Sequence, residues 1–383
     1  MVVHAEEDAN YRAPQQEPLH LQKEELDAGS LFVLKSEGSW IHCGYHLTTS
    51  IVAPPLLSLP YAFTFLGWAA GISCLVIGAL VTFYSYNLLS LVLEHNTQLG
   101  HRQLRFRDMA NQILGPRWGL YFVGPIQFIV CYGAVVGCTL LGGQCMKHGL
   151  FFVGNSLKEP KGYSLNGDTQ DRIFGMFNAI AIIATTYGNG IIPEIQATIA
   201  APLKGKMFKG RCVCYSVILV TFLTVAISGY WAFGNQAEGL ILSNFVSNGK
   251  PLVPKWFVYL QPTNEVLERT FADPESKEFS ARNVIPRVVS RSLSMIIATT
   301  IAAMLPFFGD IISLIGAFGF MPLDFILPVV FFNLTLKPSK RSYVFWLNTT
   351  IAAVFSVLGV IAAIAAVRQI SLDAKTYRFF ANV

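Results

Sequence analysis

Residues 182–199 read IIATTYGNGIIPEIQATI, an apolar stretch of membrane-spanning length broken at its middle by Gly188, Asn189 and Gly190, then by Pro193 and Glu194. Helix breakers and a carboxylate are each expensive at bilayer depth, where unpaired backbone groups find no water. Their coincidence implies an unwound backbone facing a cavity or a solute. Secondary transporters build midplane binding sites in this way.

Composition agrees with a lipid surrounding. Of 383 residues, 53% are hydrophobic and 13% charged, with a mean hydropathy of +0.48. That is more apolar surface than one soluble core hides, so the expected fold class is an all-α, polytopic membrane protein in a lipid bilayer. The net charge of +5 is dispersed, and no basic block alternates with aromatics, which excludes nucleic acid as a partner. Cys43, Cys74, Cys131, Cys138, Cys145, Cys212 and Cys214 show neither a paired metal spacing nor a disulfide framework. Cys131, Cys138 and Cys145 recur every seven residues, as small packing residues on one helical face do. HExxH, GxSxG and Walker motifs are missing, so neither an enzyme nor a metal or organic cofactor is expected.

At roughly 20 apolar residues per crossing, eight spans are expected, at residues 40–66, 68–93, 119–146, 173–201, 212–234, 288–308, 311–335 and 343–367. The apolar stretches His148 to Gly154 and Leu252 to Leu260 are too short to cross. Residues 1–30 hold seven carboxylates against Arg12 and Lys23 with little apolar periodicity, which predicts a disordered acidic tail and insertion from an internal span. Residues 31–367 form the transmembrane domain and residues 368–383 a C-terminal tail. Arg102, Arg105, Arg107 and Arg117 put one loop in the cytoplasm, and Lys204, Lys206, Lys209 and Arg211 put the chain after the broken span there too. The N-terminus is then inside.

The first span repeats the opening feature. In TTSIVAPPLLSLPYAF (residues 48–63), Pro54, Pro55 and Pro60 remove backbone donors, so the helix should stop near Ile51 to Pro55. Either break alone could be a simple kink, but two at their own midpoints favour a shared site. Half-helix N-termini suit a carboxylate and unwound carbonyls suit an ammonium, which points to a zwitterion. Ionisable groups at depth are His46, Glu194 and Asp324. Each either carries a coupling proton or serves structure: Glu194 by satisfying amides beside the break, Asp324 by capping backbone freed by Pro322 and Pro328, His46 by packing. Asp310 reads as an N-cap. The sequons at Asn333 and Asn348 fall in or against spans, away from glycosylation.

GNGIIPEIQATIAAPLKGKM (188–207), LDAGSLFVLKSEGSWIHCGYHLTTSIVAPPLLSLPYAF (26–63), LRFRDMANQILG (104–115) and AAMLPFFGDIISLIGAFGFMPLDFILPVVFFN (302–333) closely resemble the plant 4-aminobutyrate (GABA) transporters of the amino acid/auxin permease family. The resemblance runs from Leu26 to Val383. It implies proton-coupled uptake of GABA and related amino acids across the plasma membrane, with protons as the coupling ion, on the inverted-repeat, leucine-transporter-like fold. It also implies a substrate site on the family's first and sixth spans, here the two broken helices. By position these supply Ser50, Ile51, Val52 and Ala53, and Tyr187, Gly188, Asn189 and Gly190. Many relatives have Gly-x-Gly at the first break, where this chain has Ala53, Pro54 and Pro55.

The family has eleven spans, so about eight make this chain resemble a shortened isoform or incomplete gene model. The fourth and fifth are wanting between Cys145 and Arg172, and the eighth between Gly234 and Arg287. A transporter of reduced architecture is the first expectation. A non-transporting subunit that pairs with a full-length copy is the alternative, and a channel-like leak the third. Loss of the eighth span alone would leave Arg282, Arg287, Arg291, Lys337, Lys340 and Arg341 outside, against the positive-inside bias. The last three spans are then expected to insert poorly or in mixed orientation.

Overall fold

The computed structural model describes residues 38–99, 103, 105–149, 162–165, 168–199, 205–241, 246–247, 250–251 and 308–376. The acidic tail, the span at 288–308 and the Leu252 stretch lie outside the described residues. Apart from a two-residue pairing of Val246–Ser247 with Lys250–Pro251, the described elements are helical.

Helix α1 (Trp40–Ile51) starts at Ser39, whose side chain and His42 cap each other's backbone amides. A 3-10 turn (Pro54–Ser58) and α2 (Leu59–Gln98) follow. At twelve residues α1 is about 18 Å long, half a bilayer core of about 30 Å, so it needs residues 54–66 to complete a crossing. Gly67 then turns the chain with φ 70° and ψ −175°, a backbone geometry that glycine alone adopts without strain. Residues 68–98 return as the second span. The boundary drawn between 66 and 68 from sequence is this glycine.

Next come α3 (Phe106–Ile113) and α4 (Gly124–Gly149), the latter continuous with a π-helical stretch Gly119–Val123. The broken span comprises α5 (Thr169–Tyr187) and the short α6 (Ile192–Ala197). After it stands α7 (Lys206–Phe233). The late span is α8 (Phe308–Ile315), a π-helical stretch Gly316–Ile326 containing Pro322, and α9 (Leu327–Thr335). The last is α10 (Tyr343–Thr376), which continues as helix beyond residue 367. Six helical stretches among the described residues are long and apolar enough to cross a membrane. Gly67 divides the first of them, Pro54–Gln98, so seven of the eight expected spans are present here.

Packing fixes which ends share a face. The Gly38 amide donates to the Thr198 carbonyl at 2.9 Å, so the start of α1 meets the end of α6. Gly44 and Gly210 let α1 and α7 approach closely, since a Cβ on Gly44 would stand 3.2 Å from the Gly210 carbonyl. At the opposite face Asn235 donates its amide to Gly162 at 2.9 Å, Ser58 donates to the Gly239 carbonyl at 2.6 Å, and Gly239 abuts Gly309. Arg368 pairs with Asp171 there at 2.7 Å.

This geometry corrects the expected course of the last spans. The late span begins beside Gly239, on the face of Gly67 and Gly234, and α9 ends against α3. The turn with Lys337, Lys340 and Arg341 therefore shares the face of the Arg105 to Arg117 loop. The conflict with positive-inside bias expected at this turn does not arise. Asn348, fully buried, donates to Asn333 at 2.8 Å and accepts from Tyr84 at 2.8 Å, so both sequon asparagines serve as an interhelical clasp. Asp310 is buried inside the first turn of α8 rather than preceding it. Every cysteine whose side chain is described is free.

Candidate functional site

Both breaks occur where the sequence demands them. At the first, α1 ends at Ile51, Val52 and Ala53 leave the helical region, and Ala53 is extended at φ −127° and ψ 169°. Pro54 and Pro55 lack the amides that would bond Ser50 and Ile51, so α1 cannot run on. At the second, α5 ends at Tyr187, Gly188 is extended at φ −63° and ψ 132°, and α6 begins at Ile192. Pro193 stands in the first turn of α6, a position that tolerates a missing donor.

The two breaks touch. The Asn189 side-chain amide donates to Ser50 Oγ at 2.8 Å, although 139 residues separate them in sequence. Ser50 in turn donates to the Leu47 carbonyl at 2.9 Å. Asn189 Oδ1 accepts the Ile191 amide at 3.2 Å, closing an Asx turn just before the helix restarts. One asparagine thus holds its own loop and the end of α1.

Three partners from other spans hold the second break open. Asp324, from the π-helical stretch, accepts the Asn189 backbone amide on Oδ2 at 3.2 Å and is fully buried. Tyr86 of α2 donates its hydroxyl to the Tyr187 carbonyl at 2.9 Å. The Phe320 ring occupies the position a Cβ on Gly188 would take, so the space beside Gly188 holds an aromatic ring.

The remaining expected residues separate into those at the junction and those in packing. Ile51 is buried, while Val52, Ala53 and Gly188 are half-buried. Gly190 is buried and lies near Leu323 and Val130. Tyr187 contributes its carbonyl to the break, but its ring packs between Gly78 and Phe222 and its hydroxyl donates to Leu75 at 2.9 Å. Glu194 is buried in the first turn of α6. His46 is exposed and rests edge-on against Tyr45, so it stands apart from the junction. Tyr86 and Phe320 were not singled out from sequence. The run Ser85-Tyr86-Asn87 inside an apolar span was the available signal for Tyr86; Phe320 lies among many apolar neighbours and gives none.

Arg211 also departs from its expected place on a cytoplasmic loop. It is 2% exposed, inside α7, with Nη2 donating to Asn87 at 3.4 Å and its guanidinium 5.9 Å from the Phe83 ring centre. Among the described residues no cluster of His, Cys, Asp and Glu could hold a metal ion.

Two mid-span breaks in contact, in an all-helical membrane chain, are the geometry of a solute carrier. The family model for transmembrane amino acid transporter proteins matches residues 36–153 and 149–371. The chain belongs to this family. Among curated proteins, GABA transporter 1 of Arabidopsis thaliana is 57% identical over 438 residues, covering 94% of this chain and 97% of that protein. Lysine histidine transporter-like 1 of the same plant is 24% identical over 431 residues, covering 94% of each. Lysine histidine transporter-like 6 is 26% identical over 416 residues, covering 89% of this chain and 93% of that protein. The 438 aligned positions exceed the 383 residues of this chain, so the GABA transporter carries internal segments with no counterpart here. The two pieces of the family match meet at residues 149–153, where the fourth and fifth spans were expected to be wanting.

Proposed function

We propose that the chain carries GABA and related zwitterionic amino acids across the plasma membrane in symport with protons. The observation that supports it most directly is the Asn189 to Ser50 hydrogen bond, which joins the two broken helices at one place. The relative named GABA transporter 1, matched over 94% of this chain, supports the substrate class. The unwound backbone is Val52 to Ala53 and Gly188 to Ile191; amides at such breaks suit a carboxylate and carbonyls an ammonium, so no fixed side-chain charge is needed. The coupling proton belongs to a carboxyl group at the second break, where Glu194 and Asp324 are the candidates; His46, exposed and apart from the junction, is the weaker one. Moving one charge across 100 mV is worth about 2.3 kcal/mol, roughly fifty-fold accumulation.

The test is uptake of labelled GABA by proteoliposomes of the purified protein under an imposed inward proton gradient. Concentrative uptake abolished by a protonophore is the expected result; uptake indifferent to the gradient defeats the symport reading. Glu194→Gln, if Glu194 carries the proton, uncouples uptake from pH while sparing exchange.

A second reading rests on the shortfall against the 438 aligned positions. In it the chain transports nothing alone and modulates a full-length copy. Co-purification with that copy, together with no uptake by this chain alone, would favour it.

A further inference from the structure

Asp324 is joined to three other spans. Its Oδ2 holds the Asn189 amide, and Asn189 holds Ser50 at the end of α1, so one residue separates the carboxyl from the first break. Tyr86 brings α2 to the same carboxyl. A phenol has one proton to give, and Tyr86 gives it to the Tyr187 carbonyl at 2.9 Å. Toward Asp324 it therefore presents lone pairs. Oδ1 of Asp324 has no hydrogen-bond partner among the described residues. Among those residues the groups facing the carboxyl are Tyr86 from α2, Tyr215 from α7 and the Asn189 amide from the break. A protonated Asp324 would find an acceptor ready in Tyr86, whereas an ionised Asp324 would face a lone pair of the phenol oxygen.

We propose that Asp324 is the group that carries the coupling proton, and that Tyr86 and Asn189 transmit its protonation state to the two broken helices. This rests on the proton-coupled reading above. On the loading side a proton from water forms an O–H bond at Asp324, which donates to the Tyr86 oxygen; Tyr86 keeps its own proton on the Tyr187 carbonyl, and the break stays as described. On the release side that O–H bond breaks and the proton leaves to water. The Tyr86 hydroxyl, keeping its proton, then turns to donate to the carboxylate, the Tyr187 carbonyl loses its donor, and the break loosens. No other atom changes partner, and charge balances through the single proton carried.

The experiment uses proteoliposomes of the full chain, with lumenal pH followed by a trapped dye and GABA by label. A gradient of one pH unit lets the wild type concentrate GABA up to about tenfold, with acidification that depends on GABA. In Asp324→Asn, counterflow exchange persists at a reduced rate, the accumulation ratio falls to about one, and acidification on adding GABA disappears. Tyr86→Phe, which removes the acceptor, shifts the pH midpoint of uptake. If Asp324→Asn fails to elute as a single species, Asp324→Glu, which keeps the acid, must restore acidification and Tyr86→Phe must still shift the midpoint. A wild type that neither concentrates GABA nor acidifies defeats the symport reading itself. A wild type that couples, with an Asp324→Asn that couples equally or a Tyr86→Phe with an unmoved pH profile, overturns this assignment alone.

Discussion

The two breaks reach a similar shape by opposite means. At Val52 and Ala53 the helix stops because Pro54 and Pro55 withhold amides, and no side chain caps the turn that follows. At Gly188 to Ile191 the local sequence is weaker: Gly and Asn cost a helix about 1 kcal/mol or less each, and Pro193 removes a single bond. The open form is held from outside, by Asp324 on the Asn189 amide, Tyr86 on the Tyr187 carbonyl and Phe320 against Gly188. A break written into local sequence persists whatever its neighbours do. A break held by partners changes when they change, which is what a transport cycle requires of one of its elements.

The largest expected effect is at Gly188. Its backbone angles suit any residue, so the position is constrained only by the Phe320 ring. Gly188→Ala forces that ring aside at a cost of about 1–3 kcal/mol, and Gly188→Leu abolishes GABA binding and uptake. Adding Phe320→Ala to Gly188→Ala should recover part of the lost thermal stability. No recovery in the double variant would mean that the second break is fixed by something other than this contact.

Next come the polar links. Asn189→Ala removes the bond to Ser50 and the Asx turn to Ile191 together. Interhelical hydrogen bonds in membranes average about 0.6 kcal/mol and reach about 1.7 kcal/mol. Asn189→Ala is expected to cost about 1–2 kcal/mol, and Ser50→Ala about 0.6 kcal/mol. A double-mutant cycle on the thermal midpoint should return a coupling of about 0.6 kcal/mol. Strict additivity would show that the two breaks are neighbours without being joined.

How much of this was legible in the sequence follows the same division. Pro54, Pro55 and the Gly-Asn-Gly run act through their own backbone, so both breaks were found at the right residues. The boundary between the first two expected spans, drawn from apolar length alone, falls at Gly67. The link from Asp324 to Asn189 spans 135 residues, and no spacing rule connects a carboxylate to an amide so far away. The sequence leaves Asp324 either as a proton carrier or as a cap for backbone freed by its own prolines; the amide it holds belongs to a different span. The family resemblance implies Tyr187 at the site, but its ring faces Gly78 and Phe222; a helix end does not reveal which way its last side chain turns. Arg211 was read with neighbouring lysines as loop charge, since burial is decided by α1 and α2 packing over it. The basic turn at Lys337 was misassigned because counting crossings from sequence carries one error through every later span.

The smallest expected effect completes the comparison. Pro54→Ala returns one amide to the first break, the one that would bond the Ser50 carbonyl in a continuous helix. Pro55 still cannot bond Ile51, and a residue that precedes proline is disfavoured in helical geometry. The alanine at position 54 therefore stays under the constraint its successor imposes, and the chain still opens at Val52 and Ala53. Thermal stability should move by less than about 1 kcal/mol and GABA affinity should stay close to wild type. Adding Pro55→Ala lifts both constraints, and only then should the helix close, with loss of uptake and of labelling at a cysteine introduced at Ala53. A full loss of uptake from Pro54→Ala alone would show that the first break, like the second, is poised and not fixed, and the division of labour between the two would fail.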